Sequence, residues 1–191
     1  MKIGLFFGSF NPIHVGHLII ANYIKEYSDL DRIWFVVSPQ NPLKKKASLL
    51  DDYHRLELVN RAVKGYDDYE ESSIEFNLPK PSYTIDTLVY MKERYPSHDF
   101  QIIMGSDNLK HFHKWKNFEI LLRDYEIIVY PRPTFDVADF KYEGNLKVVN
   151  APLMEISSSL IRKMYAEGKD PSFFLAPSVY QYIEEMHFYG A

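Results

Sequence analysis

Apolar positions along this chain come in two kinds of run. Ile3-Gly4-Leu5-Phe6-Phe7 is short and unbroken, the pattern of a strand buried on both faces of a parallel sheet. Leu18-Ile19-Ile20-Ala21-Asn22-Tyr23-Ile24 suits a buried helix, and Tyr53, Leu56, Val59 and Val63 recur at helical spacing. Extended along the chain, this reading places strands at 2–7, 32–38, 72–77, 99–104, 125–130 and 145–150. Helices fall at 15–28, 51–64, 84–95, 107–112, 117–123, 158–167 and 177–187. The alternation predicts an α/β fold, a parallel sheet with helices on both faces. Gly168 suits the end of one helix and Pro177 the first turn of the next. No repeat, low-complexity segment or linker divides residues 1–191, which read as a single domain. Two loops, 39–50 and 131–144, are candidate mobile elements, and the first carries Lys44-Lys45-Lys46.

Composition narrows the classes. The formal charge of −4 argues against a nucleic-acid partner bound over a broad basic face, so an anionic ligand needs a local cationic site. With no cysteine there are no disulfides and no thiolate metal sites, which fits a reducing, cytoplasmic setting. No apolar run approaches the length of a membrane span, and a strand begins at once at Lys2, where a signal peptide would need room.

The densest chemistry follows the first strand, in Gly8-Ser9-Phe10-Asn11-Pro12-Ile13-His14-Val15-Gly16-His17. Gly8, Ser9, Asn11 and Pro12 turn the chain. His14 and His17 then share one face of the first helical turn, and Gly16 between them lets backbone or ligand approach. Two isolated histidines are more often caps or packing residues than ligand-binding ones. Here they coincide with a glycine-containing turn and a helix start, at the sheet edge where open α/β folds bind ligands and where free N–H groups attract anions. A metal pair is the other alternative, but the spacing of four and the glutamate of the zinc-protease motif are missing.

Gly8 to His17 resembles the first motif of the nucleotidylyltransferase superfamily, His-x-Gly-His, and Ile156-Ser157-Ser158-Ser159-Leu160-Ile161-Arg162 resembles the second, with Ser159 for threonine. Three further segments are similar to those of the bacterial nicotinate-nucleotide adenylyltransferase family. They are Pro39 to Lys44 with Tyr53-His54-Arg55, Pro81 to Leu88, and Ile103 to Leu109 continuing to Trp115. Asn11 stands where the family commonly has aspartate, at a position that shapes a turn.

The resemblance implies a Rossmann-like sheet, ATP and nicotinate mononucleotide as substrates, and Mg²⁺ carried on the ATP phosphates with no protein metal ligands. It implies catalytic roles for His14, His17, Lys44 and Arg162 at the phosphates. It implies ATP contacts from Gly8, Ser9, Phe10, Gly16, Gly105, Asp107, Ile156, Ser157 and Ser158. Tyr83 and Thr84, at a helix start, would bind the nicotinate carboxylate, with Trp115 stacked on its ring. Lys44 is equally readable as one of a solvated lysine run, and Tyr83 as a packing residue.

A phosphate monoester is mostly dianionic near pH 7, so such a nucleophile needs no general base; alignment and charge neutralisation are what remain to be supplied. Competing readings are the same transfer to nicotinamide mononucleotide or phosphopantetheine, and a non-catalytic nucleotide-binding module on the same fold. A homo-oligomer stays open.

Overall fold

The computed structural model describes residues 1–39 and 49–191. Lys44 and its two neighbouring lysines therefore lie outside the described residues. The strands are β1 (Lys2–Gly8), β2 (Arg32–Val37), β3 (Tyr69–Ser72), β4 (Asp99–Gly105), β5 (Ile127–Tyr130) and β6 (Leu146–Val148). They pair in parallel, in the order β3-β2-β1-β4-β5-β6. The helices are α1 (Val15–Glu26), α2 (Asp52–Val63), α3 (Thr84–Arg94), α4 (Ser106–Leu109), α5 (Phe118–Asp124), α6 (Ser158–Ala166) and α7 (Pro177–Glu185).

Strands β1, β2, β4 and β5 send alternate side chains into two cores. Ile33, Phe35 and Val37 of β2 join Ile20, Ile24, Leu58, Val59, Ile161 and Ile183, packing α1, α2, α6 and α7 on one face. Trp34 and Val36 join Leu88, Met91, Leu121 and Leu122 of α3 and α5 on the other. Such burial on both faces is why the strands read as unbroken apolar runs. Strand order reverses between β1 and β4, and the crevice beyond the carboxyl ends of those two strands is where an open α/β sheet holds its ligand.

Three expectations need correction. Residues 72–77 do not form the third strand: β3 ends at Ser72, and Ile74–Asn77 make a 3-10 turn. The turn carries Glu75 inward to buried hydroxyl partners, which an edge strand running on past the end of β2 would not do. The helix expected at 107–112 is one α turn, Ser106–Leu109, followed by a 3-10 turn at Phe112–Lys114. The break turns Phe112 into the core and leaves Trp115 only half-buried. The loop 131–144 is tied down, since Ser106 Oγ donates to Phe135 O at 2.8 Å and accepts from the Arg132 amide at 2.9 Å. Gly168, at φ +65°, and Pro177 close and open their helices as expected.

Candidate active site

His14 is the N-cap residue of α1, in extended backbone conformation, and its amide donates to His17 Nδ1 at 3.3 Å. The two rings stack with centroids 3.8 Å apart and planes 27° apart. Gly16 makes this possible, because a Cβ there would stand 3.0 Å from His14 Nδ1. His17 also packs edge-on against Phe10, whose ring lies over Gly8. His14 is 4% exposed, and its Nδ1 is buried without a protein partner. Burial, aided by the nearby Arg132 cation, lowers its pKa to about 4. His14 is thus a neutral imidazole at neutral pH.

The second motif is bolted to the first. Ser157 caps α6 by accepting from the Leu160 amide at 3.2 Å. Ser158 Oγ donates to Pro12 O at 2.8 Å, and Arg162 Nη1 donates to Asn11 O at 2.7 Å. The hydroxyls of Ser157 and Ser158 are therefore engaged in structure, which leaves the backbone N–H groups at the start of α6 as that motif's free donors of the kind that attract anions. Ile156 approaches Gly16 from the opposite side.

Next to this end lies a cavity of about 350 Å³ at the carboxyl ends of β1 and β4. Gly8, Gly105, Tyr83, Thr84 and Trp115 line it. Tyr83 precedes α3 and makes no side-chain cap, so the first amides of that helix stay available. Gly105 is required for close approach: a Cβ there would collide with Asp107 Oδ1 and come within 3.0 Å of Arg132 Cγ. Asp107 sits in the first turn of α4 while Gly105 takes the cap position, which leaves its carboxylate exposed. Ser9 does not line this cavity; its carbonyl accepts from Arg55 Nη1 at 2.7 Å.

Several site residues escaped the sequence reading. Arg132, directly after β5, reaches across with Nη1 donating to Met154 O at 2.8 Å and Nε 3.9 Å from Asp107 Oδ1. Its place at a strand's carboxyl end was the available signal. Glu75 lines the cavity from beneath, accepting from Ser82 Oγ at 2.9 Å and Thr87 Oγ1 at 2.8 Å. Burial raises its pKa against the pull of those hydroxyls. Lys116 pairs with Asp86 of α3 at 2.7 Å and lies 5.2 Å from the Tyr83 ring centroid, latching the Trp115 wall to the α3 wall. Among the described residues, no three His, Cys, Asp or Glu side chains gather as a metal site, His111 and His113 included.

A Rossmann-type switch point with a histidine turn, a serine–arginine helix start and an adjoining aromatic cavity defines a nucleotide-binding transferase fold. The chain belongs to the cytidylyltransferase-like family, whose model matches residues 5–164. It is 55% identical over 190 residues to the probable nicotinate-nucleotide adenylyltransferase of Christiangramia forsetii, covering 98% of each chain. It is 52% identical over 191 residues to that of Flavobacterium johnsoniae, covering 99% of each. In fold it is similar to the Plasmodium falciparum nicotinic acid mononucleotide adenylyltransferase complexed with NaAD, with a TM-score of 0.83 at 23% identity over 98% of this chain and 97% of that one.

Proposed function

We propose that this protein transfers the adenylyl group of ATP to nicotinate mononucleotide, giving deamido-NAD and pyrophosphate. The observation that carries the reading is a wall shared by two half-sites. Phe6 and Gly8 line the cavity that Trp115 and the start of α3 also wall, Gly8 opens the turn carrying His14 and His17, and the Phe6 ring lies 6.1 Å from that of His17. The names of its relatives point the same way.

In this reading a phosphate oxygen of the acceptor attacks the α-phosphorus of ATP, and the bond from that phosphorus to the departing pyrophosphate breaks. The nucleophile arrives as an anion, so no base takes a proton from it. His17 and neutral His14 donate hydrogen bonds to phosphate oxygens, and Arg162 and Lys44 supply positive charge. Gly8, Phe10, Gly16 and Ile156 shape the wall against which the nucleotide lies, Ser157 and Ser158 offer amides, and Gly105 and Asp107 receive the adenylate ribose. Trp115 stacks on the pyridine ring, and the Tyr83–Thr84 amides receive its carboxylate.

The donors at the phosphate end are imidazole, amide and guanidinium groups, which fit phosphate oxygens better than a hard cation. Mg²⁺ belongs to the substrate in this scheme, entering as Mg–ATP and neutralising phosphate charge. No helix among the described residues is long and apolar enough to cross a membrane, and the reading requires no nucleic acid. A cytoplasmic enzyme, where both nucleotides are found, is in keeping with the absence of cysteine.

The test is to incubate the protein with Mg–ATP and, separately, nicotinate mononucleotide, nicotinamide mononucleotide and phosphopantetheine, and to measure dinucleotide and pyrophosphate. Stoichiometric deamido-NAD and pyrophosphate support the reading. Faster turnover of either other acceptor, or none of any, overturns it.

A further inference from the structure

Asn11 lies in the turn between β1 and α1, and three distant parts of the chain meet on it. Tyr189 Oη donates to Asn11 Oδ1 at 2.7 Å, and the Leu50 amide donates to the same oxygen at 3.3 Å. Arg162 Nη1 donates to the Asn11 carbonyl at 2.7 Å, while its Nη2 donates to Ser159 Oγ at 3.3 Å. The direction of the guanidinium is thus set on one side by its own helix and on the other by Asn11.

Tyr189 is held in place by an unusual backbone. It sits at φ 61°, ψ 11°, between His187 at φ 52° and Gly190 at φ 91°. An L-residue takes this left-handed conformation only when its surroundings compel it. Here Tyr165 of α6 lies 6.1 Å from the Tyr189 ring and Phe188 6.3 Å, and Phe188 in turn packs on His54 at 4.8 Å. Burial raises the pKa of the Tyr189 phenol despite the nearby Arg162 and Arg55 charges, so the hydroxyl remains a donor at neutral pH.

We infer that Tyr189 is a positioning residue for Arg162, acting through Asn11. The phenol hydroxyl fixes the Asn11 side chain, and the Asn11 carbonyl aims the guanidinium at the triphosphate. The inference rests on the phosphate role proposed above for Arg162. It also gives residues 187–191 a part in the site that no motif in that segment suggests.

The experiment is a double-mutant cycle of Tyr189→Phe and Arg162→Ala, read as ATP affinity by calorimetry and, for variants that turn over, as kcat and the KM of each substrate. Tyr189→Phe keeps the ring and removes only the hydroxyl. We expect it to weaken ATP binding or lower kcat by about fivefold, the effect of one net hydrogen bond. KM for the acceptor should be unchanged, and the effect should vanish in the Arg162→Ala background. Asn11→Ala should reproduce the Tyr189→Phe loss and add nothing to it. An unaltered Tyr189→Phe protein, or an equal loss with and without Arg162, overturns the inference. If the wild-type chain makes no deamido-NAD, the functional reading fails by itself, because the cycle is still decided by ATP affinity.

Discussion

His14 and His17 face each other ring to ring at 3.8 Å, and one cannot be moved without the other. The His14 amide donates to His17 Nδ1, and the His17 amide donates to the His14 carbonyl at 2.9 Å. The first turn of α1 is thus closed by the His17 imidazole on one side and the His14 carbonyl on the other. This leaves His17 Nε2 as the nitrogen of that ring not used by the cap. Capping by the His17 ring is compatible with the phosphate role proposed for the pair.

From this we expect His17→Ala to lower kcat by about 10²–10³, the usual loss for one donor to a transition-state oxyanion. Losing the cap should cost only about 1 kcal/mol of stability. Steady-state kinetics beside a urea melt separates the two effects. A folded His17→Ala enzyme with near-normal kcat would remove His17 from the phosphate site.

The buried neutral state of His14 makes stability depend on pH in a definite direction. Its pKa is about 4 in the folded protein, against an ordinary value of 6.5. Above pH 6.5 the imidazole is neutral whether folded or not, and stability is complete. As pH falls from 6.5 towards 4, the unfolded chain takes up a proton that the folded one refuses, and stability declines; below 4 this group adds nothing further. The full loss is about 3 kcal/mol. His14→Gln should flatten the fall in unfolding free energy between pH 7 and 4.5 relative to wild type. Parallel pH profiles for the two proteins would show that His14 is not held neutral.

Arg55 supports the site without touching the cavity. Fully buried, it donates to the carbonyls of Ser9 at 2.7 Å, Ser38 at 2.8 Å, Leu50 at 3.1 Å and Pro39 at 3.4 Å, and pairs with Asp52 at 2.5 Å. One guanidinium thus joins the turn after β1, the end of β2 and both flanks of residues 40–48. Arg55→Leu would leave several buried carbonyls unpaired, with Asp52 still held by Lys80, so a loss of about 3 kcal/mol or more is expected. Arg55→Lys should recover little of it, since an ammonium cannot span the same fork of acceptors. Chemical denaturation of the three proteins checks this, and a Lys variant as stable as wild type would contradict it.

Where the sequence was legible, one local pattern decided the outcome. Largely apolar runs located β1, β2, β4 and β5 because a parallel sheet buries both their faces, and the turn before α1 was marked by its own glycines and histidines. What escaped was set by partners far along the chain. Glu75 leaves the strand pattern because its carboxylate is needed by Ser82 and Thr87. Arg132 comes beside Asp107 because β5 lies beside β4, and Tyr189 reaches Asn11 because the segment after α7 folds back on that turn. The serines of the second motif showed the limit in another form. Their spacing marked the helix start correctly, but only the fold revealed that two hydroxyls are used for capping and for Pro12.

The cavity's polar wall leads to the choice of acceptor. The α3 start is open, with no side chain capping it, and faces the same space as Trp115. A carboxylate there gains roughly 0.3–1 kcal/mol from the helix dipole. Each direct N–H bond to a charged acceptor adds about 1.5–3 kcal/mol. A neutral amide gains less from the dipole, and its NH₂ group meets donors from which it cannot accept. The Lys116 charge is already paired with Asp86, so the lysine mainly holds the two walls together. Two amide bonds are then enough for about 10²-fold or more in kcat/KM favouring nicotinate over nicotinamide mononucleotide. Trp115→Ala should weaken both acceptors and leave their ratio unchanged, because stacking does not read the carboxylate. The comparison is initial-rate kinetics with both acceptors on both proteins. Equal kcat/KM values for acid and amide in the wild-type chain would show that the start of α3 does not bind the carboxylate.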